Sequence, residues 1–561
     1  MRMDARMPSP DRQTLLVAGI GIAISIYIAV VLSSLRTNVG NPFDLPIFRY
    51  LILFQDFYTL LPSVGILALA LFAPVRAFGA LAASWCGRHV WIVSLVTTAA
   101  LAAGTHVVYH NHPLSMDEYT QFFQSEIFSE GRLTGQFPPA LVDWLVPPRM
   151  QGWFMRVSAG TGAVVSTYWP GFALILTPFT ALGAPWLLNP LIGGATILVM
   201  HRIALLLFDD MESAGFVVLL TLASPAVTIN ALSYYAMSAQ LLASALYVLL
   251  LLSPTPRRAL LAGLIGSLAL VLHNPAPHLL FALPWIVWLG LRAGKIQERL
   301  HILAALIAGY LPLCLLIGWG WSFFLQSFTL QQPLAAIVSP GEAGRMVVGS
   351  LQSIAAPSSG SGLGVQLLGL CKLWIWAVPG LVAIAALGAW RLGKKRGYWL
   401  AMICSALLTY FAYFFVRFDQ GHGWGYRYFH AAWLVLPLLA AGASVEKRAP
   451  SPLRDYLAGS ATLSLAILTT FSAIQVEHHI SRHLSQFPSA ARGDVRVVIL
   501  EQATGYYTWD LAQNDPFLRN PVIRLVSRNR QLDREMMAKN FPQYQLLGTD
   551  RRGSVWGTAQ P

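Results

Sequence analysis

Long apolar runs alternate with short polar links along most of this chain. A helix needs about 20 mainly apolar residues to cross the hydrocarbon core of a bilayer, because only an internally hydrogen-bonded backbone is stable there. We therefore expect an all-α polytopic membrane bundle of about 12–14 transmembrane helices. The candidate spans lie at positions 14–35, 50–74, 89–109, 168–182, 185–208, 214–231, 236–252, 259–272, 279–291, 301–320, 366–390, 398–416, 428–443 and 456–474.

Three long polar stretches interrupt this pattern, at positions 109–166, 321–364 and 475–561. The last stretch contains β-branched runs at 494–500 and 521–526, and helix formers with charges follow at 531–540. Such a sequence of patterns predicts a small C-terminal α/β domain.

The expected organisation has three parts. Two N-terminal transmembrane helices occupy positions 1–88, and a transmembrane core occupies 89–474. The core carries a long external loop at 110–167, and the external α/β domain occupies 475–561.

Composition agrees with a bilayer as the main solvent, since 55% of the residues are apolar, 11% are charged and the mean hydropathy is +0.56. The net charge of +13 comes from short basic clusters between apolar runs, which is typical of cytoplasmic anchors and not of a nucleic-acid-binding face. The four cysteines are scattered, so neither a disulfide framework nor a cysteine metal site is predicted.

The basic clusters also predict which loops lie outside. The clusters at 391–396 and 446–448 flank two spans joined by 417–427, so this joining loop and the C-terminal tail should be external. We expect a multi-pass protein of the bacterial inner membrane whose chemistry faces the periplasm or exterior. Strict alternation would put Arg257 and Arg258 on the wrong side, so one short segment, such as 168–182 or 279–291, should be re-entrant or not a span.

Adjacent carboxylates follow the third span, at Asp117 and Glu118. Carboxylates at a membrane surface are costly unless they are hydrated, paired or used. A carboxylate facing a water-limited cavity can act as general base to an acceptor hydroxyl. The alternative is that both residues only begin a helix, where the helix dipole favours acidic side chains.

A second candidate is Arg427, which follows a glycine-rich loop and opens an apolar run. A guanidinium can bind a phosphate through two hydrogen bonds and neutralise a leaving group. His422, Arg417 and Lys372 could add positive charge to such a site. The alternative is an interfacial anchor, with the neighbouring aromatic residues forming a belt at the membrane surface.

Three stretches resemble one family when they are read together. HPLSMDEY at 112–119, followed by IFSEGRL at 127–133, is similar to the first external loop of the GT-C superfamily, especially bacterial relatives of protein O-mannosyltransferases and aminoarabinose transferases. STYWPG at 166–171 resembles the family's Tyr-Pro-Pro-Gly segment, with Trp169 in place of the first proline. HGWGYRY at 422–428 resembles its late external loop, in which an Arg-Tyr pair opens a span.

This resemblance implies an inverting glycosyltransferase that uses a polyprenyl-phosphate-linked sugar and a lipid, glycan or protein acceptor. It implies that Asp117 is the catalytic base or orients the acceptor, that Glu118 tunes Asp117 as its neighbour or positions the acceptor, and that Arg427 holds the donor phosphate. The further donor-binding or substrate-binding candidates are His422, Tyr426, Arg417, Lys372 and Tyr168. The lipid phosphate is the leaving group, so no cofactor is required, and the sequence has no glycine-rich nucleotide fingerprint.

Other readings of the sequence stay open. The spacing of His106, His110 and His112 allows a metal site, but their apolar neighbours favour ordinary packing; no metal ligands are assigned, and a divalent metal is left open. A transporter or lipid flippase would predict inverted repeats and charged residues in discontinuous spans, which we do not see. A non-catalytic membrane scaffold and a glycan polymerase or ligase are the remaining alternatives.

Overall fold

The computed structural model describes residues 9–37, 46–330, 360–415, 421–444, 451–489, 494–502 and 508–558. The first twelve helices are α1 (Arg12–Thr37), α2 (Pro46–Tyr50), α3 (Phe57–Leu69), α4 (Ala73–Arg88), α5 (Val90–Val107), α6 (Met116–Ser129), α7 (Val142–Leu145), α8 (Gly171–Ala181), α9 (Leu188–Phe208), α10 (Met211–Leu222), α11 (Pro225–Asn230) and α12 (Met237–Leu251).

The helices that follow are α13 (Pro256–Val271), α14 (Ala276–Leu291), α15 (Ile296–Leu313), α16 (Gly320–Leu330), α17 (Gly360–Ile375), α18 (Leu381–Gly393), α19 (Tyr398–Phe411), α20 (Val435–Ser444), α21 (Pro452–Leu463), α22 (Thr469–Leu484) and α23 (Arg530–Asn540). The strands are β1 (Gly135–Gln136), β2 (Met155–Val157), β3 (Ala163–Ser166), β4 (His422–Gly423), β5 (Gly425–Tyr426), β6 (Asp494–Leu500), β7 (Ile523–Val526), β8 (Gln545–Asp550) and β9 (Gly553–Thr558).

The helical bundle confirms the predicted all-α membrane class. Within the described residues, seven continuous helical stretches are long and apolar enough to cross a membrane: Arg12–Thr37, Ile47–Leu69, Val90–Val107, Pro185–Phe208, Ile296–Thr329, Tyr398–Phe415 and Pro452–Leu484. Shorter apolar helices pack among them. Large apolar side chains such as Leu61, Leu291 and Leu316 are at least 77% exposed, as expected for surfaces that face lipid.

Glycine contacts bring several helices unusually close. A Cβ on Gly263 would lie 2.1 Å from the backbone oxygen of Leu306, and one on Gly79 would lie 2.2 Å from the backbone nitrogen of Gly459. Small residues allow such approaches between helices in lipid, where van der Waals packing replaces the hydrophobic effect as the driving force. These contacts fix the pairs α13 with α15 and α4 with α21.

Some predicted spans have different bounds in the structure. The chain before residue 89 contains the additional helix α4, which the hydropathy pattern missed because Arg76 and Arg88 lie within it. The run at 366–390 is interrupted between Ile375 and Leu381, where Gly380 has a φ of +90° and immediately precedes α18. The last span reaches Leu484, beyond its predicted end at position 474.

The C-terminal domain has the predicted α/β character. Its four-stranded sheet has the order β7-β6-β9-β8, with β6 parallel to β7 and antiparallel to β9. The helix predicted at 531–540 is α23, and the strands β8 and β9 were not predicted. Val497, Ile499 and Leu525 share one apolar core with Phe123 and Ile127 of α6. The domain is thus packed directly on the loop helix that carries the two candidate carboxylates.

Candidate functional site

The N-terminus of α6 is fixed by a capping box. Ser115 and Glu118 exchange hydrogen bonds with each other's backbone, an arrangement that satisfies amides left unpaired at a helix start. Oε2 of the buried Glu118 carboxylate accepts from the amides of Leu114 at 2.6 Å and Ser115 at 3.2 Å. Its Oε1 accepts from the Tyr109 hydroxyl at 3.2 Å and the Tyr234 amide at 3.0 Å. Burial raises the pKa of Glu118 to about 7 despite these donors.

Asp117, one residue earlier, points in a different direction and meets Arg427. Its Oδ2 accepts from Nη1 of Arg427 at 2.9 Å, and its Oδ1 accepts from the Tyr168 hydroxyl. The two charged side chains are 15% and 14% exposed. Burial raises the pKa of Asp117, but the Arg427 guanidinium, His273 and the Tyr168 hydroxyl outweigh that effect and hold the pKa below its ordinary value. Asp117 is therefore a carboxylate anion in a nearly dry ion pair.

Tyr168 and His273 pack together beside the ion pair of Asp117 and Arg427. Their ring centroids are 4.1 Å apart, and Nδ1 of His273 lies 3.2 Å from Nε2 of Gln121 on α6. The backbone carbonyl of His273 accepts from the amide of Trp169 at 3.3 Å. The proline-broken turn after α13 thus helps to hold the segment at 166–171 against α6.

The ion pair opens into a pocket with two kinds of wall. Ile47, Phe48 and Leu51, near the start of the second span, form an apolar side. The polar side includes Asp117, Arg427, Tyr235 and Asp510, and the guanidinium of Arg427 lies 5.2 Å from the centre of the Tyr235 ring. The pocket is thus able to hold an amphipathic molecule, with an anionic group at the arginine and an apolar chain along the helices.

Asp510 brings a second carboxylate into the pocket from the C-terminal domain. Its Oδ1 accepts from the amide of Met116 at 3.1 Å, at the first turn of α6. Burial, with added repulsion from Asp117 and Glu118, raises the pKa of Asp510 to about 8. Asp510 lies in a 3-10 turn, Thr508–Leu511.

A similar solved structure gives the fold. The crystal structure of ArnT from Cupriavidus metallidurans bound to undecaprenyl phosphate matches with a TM-score of 0.50 and 13% identity, covering 84% of this chain and 99% of that chain. The chain has the fold of ArnT. The apo structure of ArnT covers the same shares of the two chains, with a TM-score of 0.47 and 12% identity.

The ArnT fold agrees with the multi-helix membrane architecture expected from the sequence. Together with the long apolar helices it makes this chain an integral membrane protein. No protein-family model matches the sequence, and no curated protein matches it.

Three further site candidates lie outside the pocket of this ArnT-like fold. The ring of His422 is buried, with Nε2 3.1 Å from the carbonyl of Val365. Tyr426 is buried and donates its hydroxyl to Gln366 at 2.8 Å. Lys372 is fully buried in an ion pair with Asp56. None of the three lines the pocket described above, and their predicted role in donor binding stays a prediction.

Two predictions about the site stay untested. Arg417 lies outside the described residues. Within the parts of the chain that the structure describes, no group of three His, Cys, Asp or Glu residues is arranged to hold a metal ion. His106 packs on Trp186 and His110 contacts Glu477 at 3.2 Å. The expectations about cofactors and metals remain predictions.

Proposed function

We propose that this protein is a membrane glycosyltransferase that moves a sugar from a polyprenyl phosphate donor to a lipid, glycan or protein acceptor. The observation that carries the proposal is the ion pair of Asp117 and Arg427 in a pocket lined by both apolar and polar side chains. The undecaprenyl phosphate bound to ArnT supports a polyprenyl chain as the apolar part of the donor. We also propose that this pocket faces the periplasm or exterior.

The reaction needs a base for the acceptor hydroxyl and a positively charged group for the donor phosphate. The acceptor hydroxyl oxygen attacks the anomeric carbon of the donor sugar, and the bond from that carbon to the phosphate oxygen breaks. The electron pair of that bond leaves on the phosphate, whose charge Arg427 neutralises. The acceptor proton goes to Asp117, since an aligned carboxylate can serve as general base.

The ion pair also suggests an order of events. A carboxylate held by a guanidinium has a low pKa and is a poor base, because general bases work best with a pKa near the operating pH. A donor phosphate that binds Arg427 competes with Asp117 for the same guanidinium. Loss of that partner raises the pKa of Asp117, so donor binding itself prepares the base for the acceptor.

Purified protein with a labelled undecaprenyl-phosphate sugar tests the function. Lipid, glycan and protein fractions of host membranes are supplied separately as acceptors, and transfer of label into one fraction is the expected result. A flippase would instead move the labelled lipid across a vesicle bilayer without transfer, and a scaffold would do neither. Growth of the product to long chains would indicate a polymerase.

A further inference from the structure

A fully buried ion pair lies within the helical bundle, behind the candidate site. Nζ of Lys372 on α17 lies 2.7 Å from Oδ2 of Asp56, and the two side chains are 0% and 1% exposed. Oδ1 of Asp56 accepts from the indole of Trp376 at 2.9 Å. Charged residues inside membrane-spanning segments are expensive and are mostly kept for a function.

Packing alone gives little reason to retain such a pair. Taking two charges out of water costs several kcal/mol for each ion, roughly, and well-packed apolar residues can often replace a buried pair without loss of stability. The other contacts of the pair indicate what it holds in place. Lys372 donates a second hydrogen bond, at 2.7 Å, to the backbone carbonyl of Gly423.

Gly423 belongs to the small hairpin that presents Arg427 to the pocket. The strands β4 and β5 pair His422 with Tyr426, and the amide of Arg427 donates to the carbonyl of Gly421 at 2.8 Å. The side chain of Arg427 lies directly on Gly423, since a Cβ there would be 2.7 Å from Cδ of the arginine. A continuous series of contacts therefore runs from Asp56 through Lys372 and Gly423 to the guanidinium.

We infer that Lys372, held in place by Asp56, is a positioning residue for Arg427 and not a direct ligand of the donor. The hydrogen bond from Lys372 fixes the position of the Gly423 carbonyl, and the contact with Gly423 fixes the direction of the Arg427 side chain. The second transmembrane helix thereby takes part in forming the phosphate-binding end of the site. This inference rests on the proposed function, in which Arg427 binds the donor phosphate.

A double-mutant cycle tests this role. Lys372→Met alone would leave Asp56 as an uncompensated buried charge, so the pair is replaced together in Asp56→Asn/Lys372→Met. We expect this variant to lose about tenfold in kcat/KM for the donor, a shift of about 1.4 kcal/mol that corresponds to a displaced hydrogen-bonding group. In an Arg427→Lys background the same replacement should cost less than about twofold, because residues that act through one another are not additive.

Gly423→Ala tests the same link without touching the ion pair. The new methyl group would press on Cδ of Arg427, so transfer should fall, and again by much less in the Arg427→Lys background. Ser405→Ala, which removes a buried hydrogen bond to the Phe281 carbonyl elsewhere in the bundle, is the control for general destabilisation and should keep the wild-type rate.

Each outcome has a distinct meaning. Losses that multiply in the Arg427→Lys background would give Lys372 a direct or independent contact with the donor and overturn the inference. Wild-type rates in well-folded Asp56→Asn/Lys372→Met and in Gly423→Ala would overturn it as well. If the wild-type protein shows no transfer in the same assay, the proposed function fails instead, whatever the variants do.

Discussion

Asp117→Asn is the substitution that separates the base from the phosphate partner most clearly. Asparagine keeps the shape of the side chain and can still accept a hydrogen bond from Arg427, but it cannot take up a proton. A positioned general base contributes typically about 10²–10⁴-fold, so transfer should fall by at least about 100-fold. Asparagine is nearly isosteric with aspartate, and unlike the fully buried pair of Asp56 and Lys372 both side chains keep contact with water, 15% exposed for Asp117 and 14% for Arg427, so insertion and abundance should stay near normal.

The affinity of Asp117→Asn for the donor should rise, although its transfer rate falls. Without donor, the Asp117 carboxylate occupies Nη1 of Arg427 at 2.9 Å. The amide keeps a hydrogen bond from the charged guanidinium but loses the charge–charge attraction, which is worth up to about 1 kcal/mol in an ion pair with some solvent access. Polyprenyl phosphate should therefore bind Asp117→Asn up to roughly fivefold more tightly.

The assay combines single-turnover transfer with equilibrium binding of undecaprenyl phosphate to the same purified protein. Asp143→Asn is the matched control, because Asp143 lies in the same long segment between α5 and α8, pairs with Arg528 at 3.2 Å and does not line the pocket. Wild-type transfer by Asp117→Asn would refute the role of the base. Weaker binding of undecaprenyl phosphate would refute the competition for Arg427 even if transfer were lost.

Four further predictions concern Arg427, Glu118, Asp510 and the side of the membrane on which the C-terminus lies. Arg427→Lys keeps the charge and loses the planar fork, so donor use should fall partly, and Arg427→Ala should abolish most of it; wild-type donor kinetics in the alanine variant would return the residue to a membrane anchor. Glu118→Gln should lower the thermal midpoint more than the transfer rate, because each carboxylate oxygen accepts two hydrogen bonds and the amide NH2 that replaces one oxygen cannot accept, which leaves buried donors unpaired at a cost of about 1–3 kcal/mol; a loss of transfer equal to that of Asp117→Asn would contradict this. Because the folded-state pKa of Asp510 is raised to about 8, the folded state holds a proton that the unfolded chain has released. The stabilisation from this bound proton is complete below about pH 4 and is lost as the pH rises through about 8. The melting temperature of Asp510→Asn should therefore depend less on pH over that range than that of the wild type. The same pH dependence in both proteins would contradict the assignment. Finally, a periplasmic reporter fused at Pro561 should be active, and activity of a cytoplasmic reporter there would reverse the topology.

Some parts of the site could be predicted from the sequence, because their signals are local. Apolar run length predicts the spans, and short motifs single out Asp117, Tyr168 and Arg427, which the fold brings together. The partners of these residues come from distant segments. Nothing near Asp56 in the sequence indicates that it meets Lys372, and nothing near Asp510 indicates that it reaches the first turn of α6. A hydropathy profile also counts each charged residue against a span, although an oppositely charged neighbour cancels much of the cost of burying that residue.

The apolar core shared by α6 and the C-terminal domain makes the structure of this loop helix depend on the last part of the chain. Phe123 and Ile127 are covered by Val497, Ile499 and Leu525, so removal of the domain would leave an apolar face of α6 in water. A truncated protein that ends after the last span would keep its membrane helices and lose the order of the helix start that aims Asp117. Limited proteolysis between the last span and β6 should therefore inactivate the protein while its transmembrane bundle still resists thermal unfolding.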